Sequence, residues 1–268
     1  MDHLYRDLAP IAASAWDQIE DEARTRLTTY LAARKLVDFD GPHGWAHSAV
    51  NIGHITSLDD GPVEGVNAAR RVVIPLLELR TPFSLPRTEI DTAARGAADL
   101  DLEAVIQAGR SAALAEDGVI FHGYADGGIV GITESSPHAP IPINDDYSDY
   151  PQHVATAVAK LRSAGVAGPY GIALGSRCFT GVSEAAELGG YPVFDHLREI
   201  LGGSVVWAPA VDGAVVLSQR GGDFRITVGQ DFSIGYGASD LATVELYLEE
   251  SIAFQVITPE AAVHMAYS

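Results

Sequence analysis

His43 and His47 stand four residues apart, the spacing that puts two metal ligands on one face of a helix. Gly41, Pro42 and Gly44 interrupt any helix there, and no adjacent carboxylate completes a site, so no metal is expected. The one cysteine, Cys178, falls on an expected helix between Arg177 and Phe179. A neighbouring guanidinium lowers a thiol's pKa, yet the setting reads as that of a structural thiol. Asp145-Asp146 and Glu249-Glu250 are paired acids, but neighbours on a strand point to opposite faces. They read as solvated acids or subunit contacts. The glycine cluster from Gly127 to Ile132 lacks the G-x-G-x-x-G spacing and follows a helix, where it serves as a stop signal. There is no G-x-S-x-G elbow, P-loop or H-E-x-x-H. A Ser-His-Asp set could assemble only in space, and no serine sits in a recognisable activated context. The chain is not expected to be an enzyme.

The elements that position these residues follow from period and punctuation. Residues 7–33 predict an amphipathic helix, with Asp7 as cap, Pro10 in its first turn, and Leu8, Ile11, Trp16, Ile19, Ala23, Leu27 and Leu31 along one stripe. Residues 35–85 read as extended. Two β-rich arms, 47–58 and 70–85, flank the turn Asp59–Pro62 and predict a long hairpin that projects from the body. Residues 101–126 predict a second long helix, stopped at Gly127-Gly128, and 133–151 a loop or hinge. Residues 151–220 read as a compact α/β unit, with helices at 153–165, 177–187 and 194–201 and strands at 170–174, 205–208 and 214–217. Near the end, Val244, Leu246, Leu248, Glu250, Ile252, Phe254 and Val256 share one face, with Glu245, Glu249, Ser251 and Gln255 on the other. That alternation predicts one half-buried strand of about 43 Å, at roughly 3.3 Å per residue. Ordinary strands run about 3–10 residues, so this one suits an extended plate better than a small enzyme.

Composition narrows the function. The chain carries 36 acids against 17 bases, a formal net charge of −19, and no run of more than two Lys or Arg. It offers nucleic acid no electrostatic footprint. It is 47% hydrophobic and 20% charged. Burial between subunits accounts for that, and so does an ordinary Ala-rich core. One cysteine excludes an internal disulfide and suits a reducing compartment. With no signal-peptide pattern and no run of about 18 apolar residues, a cytoplasmic protein without a membrane partner is expected.

Seven colinear segments carry a resemblance. They are LYRDLAPI at Leu4–Ile11 with Trp16 following, ARKLVDF at Ala33–Phe39, GPHGW at Gly41–Trp45 and LELRTPFSL at Leu77–Leu85. EDGVIFHGY at Glu116–Tyr124, AGVAGPY at Ala164–Tyr170 and RGGDFRITVGQDFSIGY at Arg220–Tyr236 complete the set. Over essentially its whole length the chain resembles type 1 encapsulins, the linocin-like shell proteins of bacterial nanocompartments.

The resemblance implies an α+β fold of the Hong Kong 97-type major capsid protein. It implies a peripheral domain of residues 1–50, 81–131 and 221–268, an extended loop at 51–80, and an axial domain at 132–220. It implies self-assembly into an icosahedral shell of about sixty copies or a multiple, through repeated symmetric contacts. The partners implied are further copies and a cargo enzyme, a dye-decolourising peroxidase or a ferritin-like protein, held by a C-terminal targeting peptide. The cargo dock implied is Leu27, Leu31, Arg34, Asp38, Asp231, Phe232 and Ile234: apolar residues for an extended peptide, charged ones for its polar ends. A five-fold pore loop is implied at Ala185, Ala186, Glu187, Leu188, Gly189, Gly190 and Tyr191, where Glu187 either rings the pore with negative charge or meets a neighbour. Relatives that bind flavin stack it on a Trp in the segment matching Pro86–Ile90. Arg87 and Thr88 stand there, so no cofactor is expected.

Two other readings stand beside the shell. A viral major capsid protein shares the fold, but an acidic chain without a basic arm suits genome packaging poorly. A peptidase or bacteriocin, the less favoured, lacks catalytic motifs and a secretion signal.

Overall fold

The computed structural model describes residues 3–187 and 189–268. Helix α1 (Ala13–Tyr30) begins six residues later than the expected start, because Pro10 lies in extended chain rather than in a first turn. Its buried residues, Ala15, Ile19, Ala23 and Leu27, recur every fourth position. They pack on helix α3 (Glu103–His122), whose facing positions Val105, Ala108, Gly109 and Ala112 are mostly small. A Cβ at Gly109 would sit 3.1 Å from the Cβ of Arg26, so glycine sets how near the helices lie. Helix α3 ends at Gly123, φ 83°, ahead of the expected Gly127-Gly128 stop.

The first sheet is built on one strand. Strands β1 (Asp38–Asp40), β2 (Ala49–Ser57), β3 (Ala69–Pro75) and β4 (Leu77–Pro86) precede helix α2 (Arg87–Ala94). β2 and β3 form a hairpin, a separate two-stranded sheet. The expected second arm divides at Leu76, and β4 runs back into the body. There it pairs along one edge of the long strand, from Thr243↔Pro86 to Ile252↔Leu77.

Helix α4 (Ile132–Ser135) and strand β5 (Ile141–Ile143) lie in the stretch expected to be loop. Next come α5 (Tyr150–Ser163), β6 (Tyr170–Leu174), α6 (Ser176–Glu184), α7 (Val193–Leu201), β7 (Gly202–Trp207), β8 (Ala214–Ser218), β9 (Phe224–Val228), β10 (Ser233–Ser239), β11 (Thr243–Val256) and β12 (Ala262–Tyr267). The second sheet has the order β5-β12-β8-β6-β7. β12 therefore sits in the sheet of residues 141–218, whereas the expected division places 221–268 wholly with the first unit.

β11 has fourteen residues and is the strand expected from the alternation. Its free edge is shared end to end by β10, from Ser233↔Glu249 to Ser239↔Val244, and by β9, from Ile252↔Val228 to Val256↔Phe224. The strand is buried on both faces rather than one: Glu249, Glu250 and Ser251 are all 4% exposed or less. α1 and α3 cover the face of Val244, Leu246 and Leu248. Each fully buried aliphatic side chain there contributes roughly 1.5–3 kcal/mol.

Candidate functional site

The floor of the candidate site is made by the α1–β10 packing. Leu27, Leu31, Ile234 and Leu248 are buried in the core that α1 shares with β10 and β11. Where helix and sheet diverge they leave a groove of about 350 Å³, lined also by Arg6, Glu20, Arg24, Thr28, Arg34, Asp231, Phe232 and Ser233. Six of the seven expected dock residues meet here: Leu27, Leu31, Arg34, Asp231, Phe232 and Ile234.

Asp38 does not join them. On β1 it lines a small polar recess with Gln219 and Gly221, and its carboxylate accepts a hydrogen bond from the Gly222 N–H at 2.6 Å. β1 pairs in parallel with β9, which carries Asp38 to the level of Arg225, away from the groove.

Backbone capping positions Arg34. After α1 ends at Tyr30, the N–H groups of Ala32 and Ala33 donate to the two oxygens of Asp117 on α3, at 2.8 and 2.9 Å. That carboxyl is completely buried, and burial pushes its pKa up to about 7 against the pull of the two N–H groups. The turn it fixes sends the Arg34 guanidinium behind the groove wall. Nε lies 2.9 and 3.0 Å from the Glu116 oxygens, Nη1 lies 2.8 Å from Asp231 Oδ1, and Nη2 lies 3.1 Å from Glu250 Oε2. Its planar face sits between Phe39 at 5.1 Å and Phe232 at 5.2 Å.

Glu116 and Glu250 are completely buried. Burial, and then the like charge of Glu116, hold the Glu250 pKa well above the usual carboxylate range. The Arg34 pKa is raised in turn: burial works against the cation, and Glu116, Glu250 and Asp231 outweigh it. Asp231 also accepts the Phe232 N–H at 2.9 Å. One guanidinium thus ties the end of α1, the middle of α3, the β9–β10 turn and β11 together around the groove.

Sequence reasoning missed Glu116, Asp117 and Glu250. Glu249-Glu250, expected as solvated acids or subunit contacts, is an internal pair: Glu249 Oε2 accepts from Arg80 Nε at 2.9 Å, while Glu250 faces Arg34. The only signal available was an acid on the apolar face of the alternating strand. Arg6, stacked on Trp16 at 4.2 Å and paired with Glu20, closes one end of the groove.

The expected pore loop follows α6. Leu188 lies outside the described residues. Ala186 bridges to Pro192, and the Glu187 N–H donates to the Tyr191 carbonyl at 2.9 Å, which makes a tight hairpin-like turn. Gly189 and Gly190, at φ 113° and 82°, take the left-handed positions that turn needs. Glu187 is not a free carboxylate: its Oε1 lies 2.7 Å from Nδ1 of His196 on α7. Asp40 does come beside the histidine pair, 3.1 Å from His43 Nε2. No group of three metal-ligating side chains occurs among the described residues. Cys178 is buried, with its sulfur 2.9 and 3.1 Å from the hydroxyls of Tyr150 and Tyr267. No helix among the described residues is long and apolar enough to cross a membrane.

Comparison with known proteins decides what kind of chain holds this groove. The Linocin_M18 family, described as an encapsulating protein for peroxidase, matches residues 1–253. The chain belongs to this family. A type 1 encapsulin shell protein of Rhodospirillum rubrum is 50% identical over 268 residues, covering 98% of this chain and 96% of the relative. That of Mycobacterium tuberculosis is 41% identical over 267 residues, covering 100% of both. These encapsulin relatives are named as shell proteins, a structural role and not a catalytic one. In fold the chain is similar to a virus-like particle from Pyrococcus furiosus, with TM-score 0.67 at 16% identity, covering 92% of this chain and 98% of that one. The capsid of Myoviridae phage XM1 gives TM-score 0.54 at 10% identity, covering 87% and 90%. The architecture is the tailed-phage capsid fold, α+β, on an encapsulin sequence.

Proposed function

We propose that copies of this chain close into an icosahedral shell, about sixty of them or a multiple, around a cargo enzyme whose C-terminal targeting peptide docks in the α1–β10 groove. The observation that carries the dock is the convergence of Leu27, Leu31, Arg34, Asp231, Phe232 and Ile234 on one groove from segments distant in sequence. The floor is apolar and the rim charged, which suits an extended peptide with polar ends. The family's description points to a peroxidase as cargo, and so to a compartment serving oxidative stress. A ferritin-like iron-storing cargo is the second choice. On this reading the assembly is cytoplasmic, the two sheets are the cores of the peripheral and axial domains, the β2–β3 hairpin is the extended loop, and residues 185–191 meet at the five-fold pore.

A genome-holding capsid is the second reading, because phage capsids share the fold. A net charge of −19 disfavours it. Negative-stain microscopy and mass photometry of the purified protein test the shell: hollow particles without a 260 nm excess are expected, and a monomer or small oligomer refutes it. The dock is tested by Phe232→Asp, which puts a carboxylate beside Asp231 at a half-buried position. Particles of normal size that no longer co-purify cargo are expected, and normally filled particles refute the assignment.

A further inference from the structure

The backbone of β10 faces the groove with hydrogen bonds unmade. In an extended strand, a residue's N–H and C=O point to the same edge and successive residues alternate. The Tyr236 N–H donates outward, to the Leu4 carbonyl at 2.8 Å, and not to β11. The register from Ser233↔Glu249 to Tyr236↔Leu246 is unbroken. Gly235 and Ser233 therefore bond to β11, and Ile234 points outward as Tyr236 does.

Both flanks of β11 give the same parity. Ser251 exchanges backbone bonds with Gln230 and Gly229, so the odd residues of β11 face β9 and β10 and the even ones face β4. Pro82, opposite Tyr247, thereby falls where β4 needs no donor.

Among the described residues, neither the N–H nor the C=O of Ile234 has a partner outside this ladder. Ile234 is only 4% exposed, and it lines the groove. A buried backbone donor and acceptor without partners is rare in native proteins. Leu4 already occupies the neighbouring position on the same edge, through its bond with Tyr236, and makes none with Ile234.

We propose that the targeting peptide enters as an added strand on the outer edge of β10, bonding through its backbone to the N–H and C=O of Ile234. This rests on the groove being the cargo dock. It names the ligand class more narrowly: an extended segment with a free N–H at one central residue and alternating apolar side chains. A strand lying about 4.8 Å outside β10 sends every second side chain to the face of Phe232, Ile234 and Leu248, against Leu27 and Leu31 of α1. Recognition then depends on the spacing of apolar residues more than on their identity.

The experiment uses shells reassembled with a fluorescent twelve-residue peptide of alternating Leu and Ser, acetylated and amidated, and the same peptide methylated at one backbone nitrogen at a time. Binding lost in Phe232→Asp shells places the peptide in the groove. Expected is a loss of about tenfold or more for methylation at one or two central positions, with effects within about twofold at the residues between them. The Ile234 amide is expected to gain hydrogen-exchange protection on loading. A flat methylation profile with binding still sensitive to Phe232→Asp overturns strand pairing and leaves the dock standing. No binding, or binding indifferent to Phe232→Asp, overturns both.

Discussion

Arg34→Met removes the one cation among the described residues that pairs with two fully buried carboxylates, Glu116 and Glu250, and a half-exposed third, Asp231. Methionine keeps an apolar stem between Phe39 and Phe232, so the loss is electrostatic rather than steric. Stripping one partner from a buried pair costs roughly 3–5 kcal/mol, because the remaining charge stays desolvated. In a chain of this size, 1 kcal/mol moves Tm by about 2–4 °C, so the variant should melt roughly 6–20 °C lower. Adding Glu116→Gln removes one of the two buried carboxylates left without their cation and should restore about 1.5–3 kcal/mol. The assay is thermal unfolding of assembled particles at one fixed concentration, since assembly itself stabilises by mass action. Lowering the pH should narrow the gap between Arg34→Met and parent, as protonated carboxylates need no counter-charge. A loss below about 1 kcal/mol, the range of an exposed pair, refutes the argument. So does a double variant no more stable than Arg34→Met.

Asp117 gives a pH signature. Its pKa rises from 3.8 to about 7 on folding, so the folded chain keeps a proton that the unfolded chain releases. Its stabilising contribution is complete below pH 3.8 and fades as pH climbs to about 7, by roughly 4 kcal/mol in all. Asp117→Asn should flatten that slope, and an unchanged stability–pH curve between pH 4 and 7 would count against it. His196→Ala frees Glu187 from a pair that is about one-third exposed on both sides, so stability should fall by less than about 1 kcal/mol. Faster amide exchange across residues 185–191 is the readout, and unchanged exchange excludes His196 as the pin of that loop. At Gly235 an added Cβ would overlap the Tyr247 ring. Gly235→Ala should cost about 1–3 kcal/mol by overpacking, and denaturant titration reading no loss refutes that contact.

The long strand was legible because its period is two over the whole run, and Leu27 and Leu31 because they fall on the apolar stripe of α1. The electrostatic centre was not legible. Positions 34, 116, 231 and 250 have no common spacing, and only the pairing of β11 with β4, β9 and β10 beneath α3 brings them together. Burial on both faces of β11 was misread because Glu249 and Ser251 look like a solvent face until Arg80 of β4 is placed across from Glu249. β5 escaped notice because three residues, preceded by Pro140 and centred on Pro142, carry too little period to stand out from a loop. Asp38, which the resemblance put with the dock residues, lies apart from the groove because the parallel pairing of β1 with β9 carries it to the level of Arg225.

The position of β12 fixes a timetable. It is the strand between β5 and β8, so the second sheet stays open until residues 262–267 have left the ribosome. About 120 residues separate Ile143 from Ala262, roughly 6–24 s of synthesis at 5–20 residues per second. Through that interval β5 has no neighbour and β8 lacks one. A nascent chain cannot offer a finished second body to its fellows, and a copy broken off at residue 261 never can. A chain without residues 262–267 lacks the strand that joins β5 to β8.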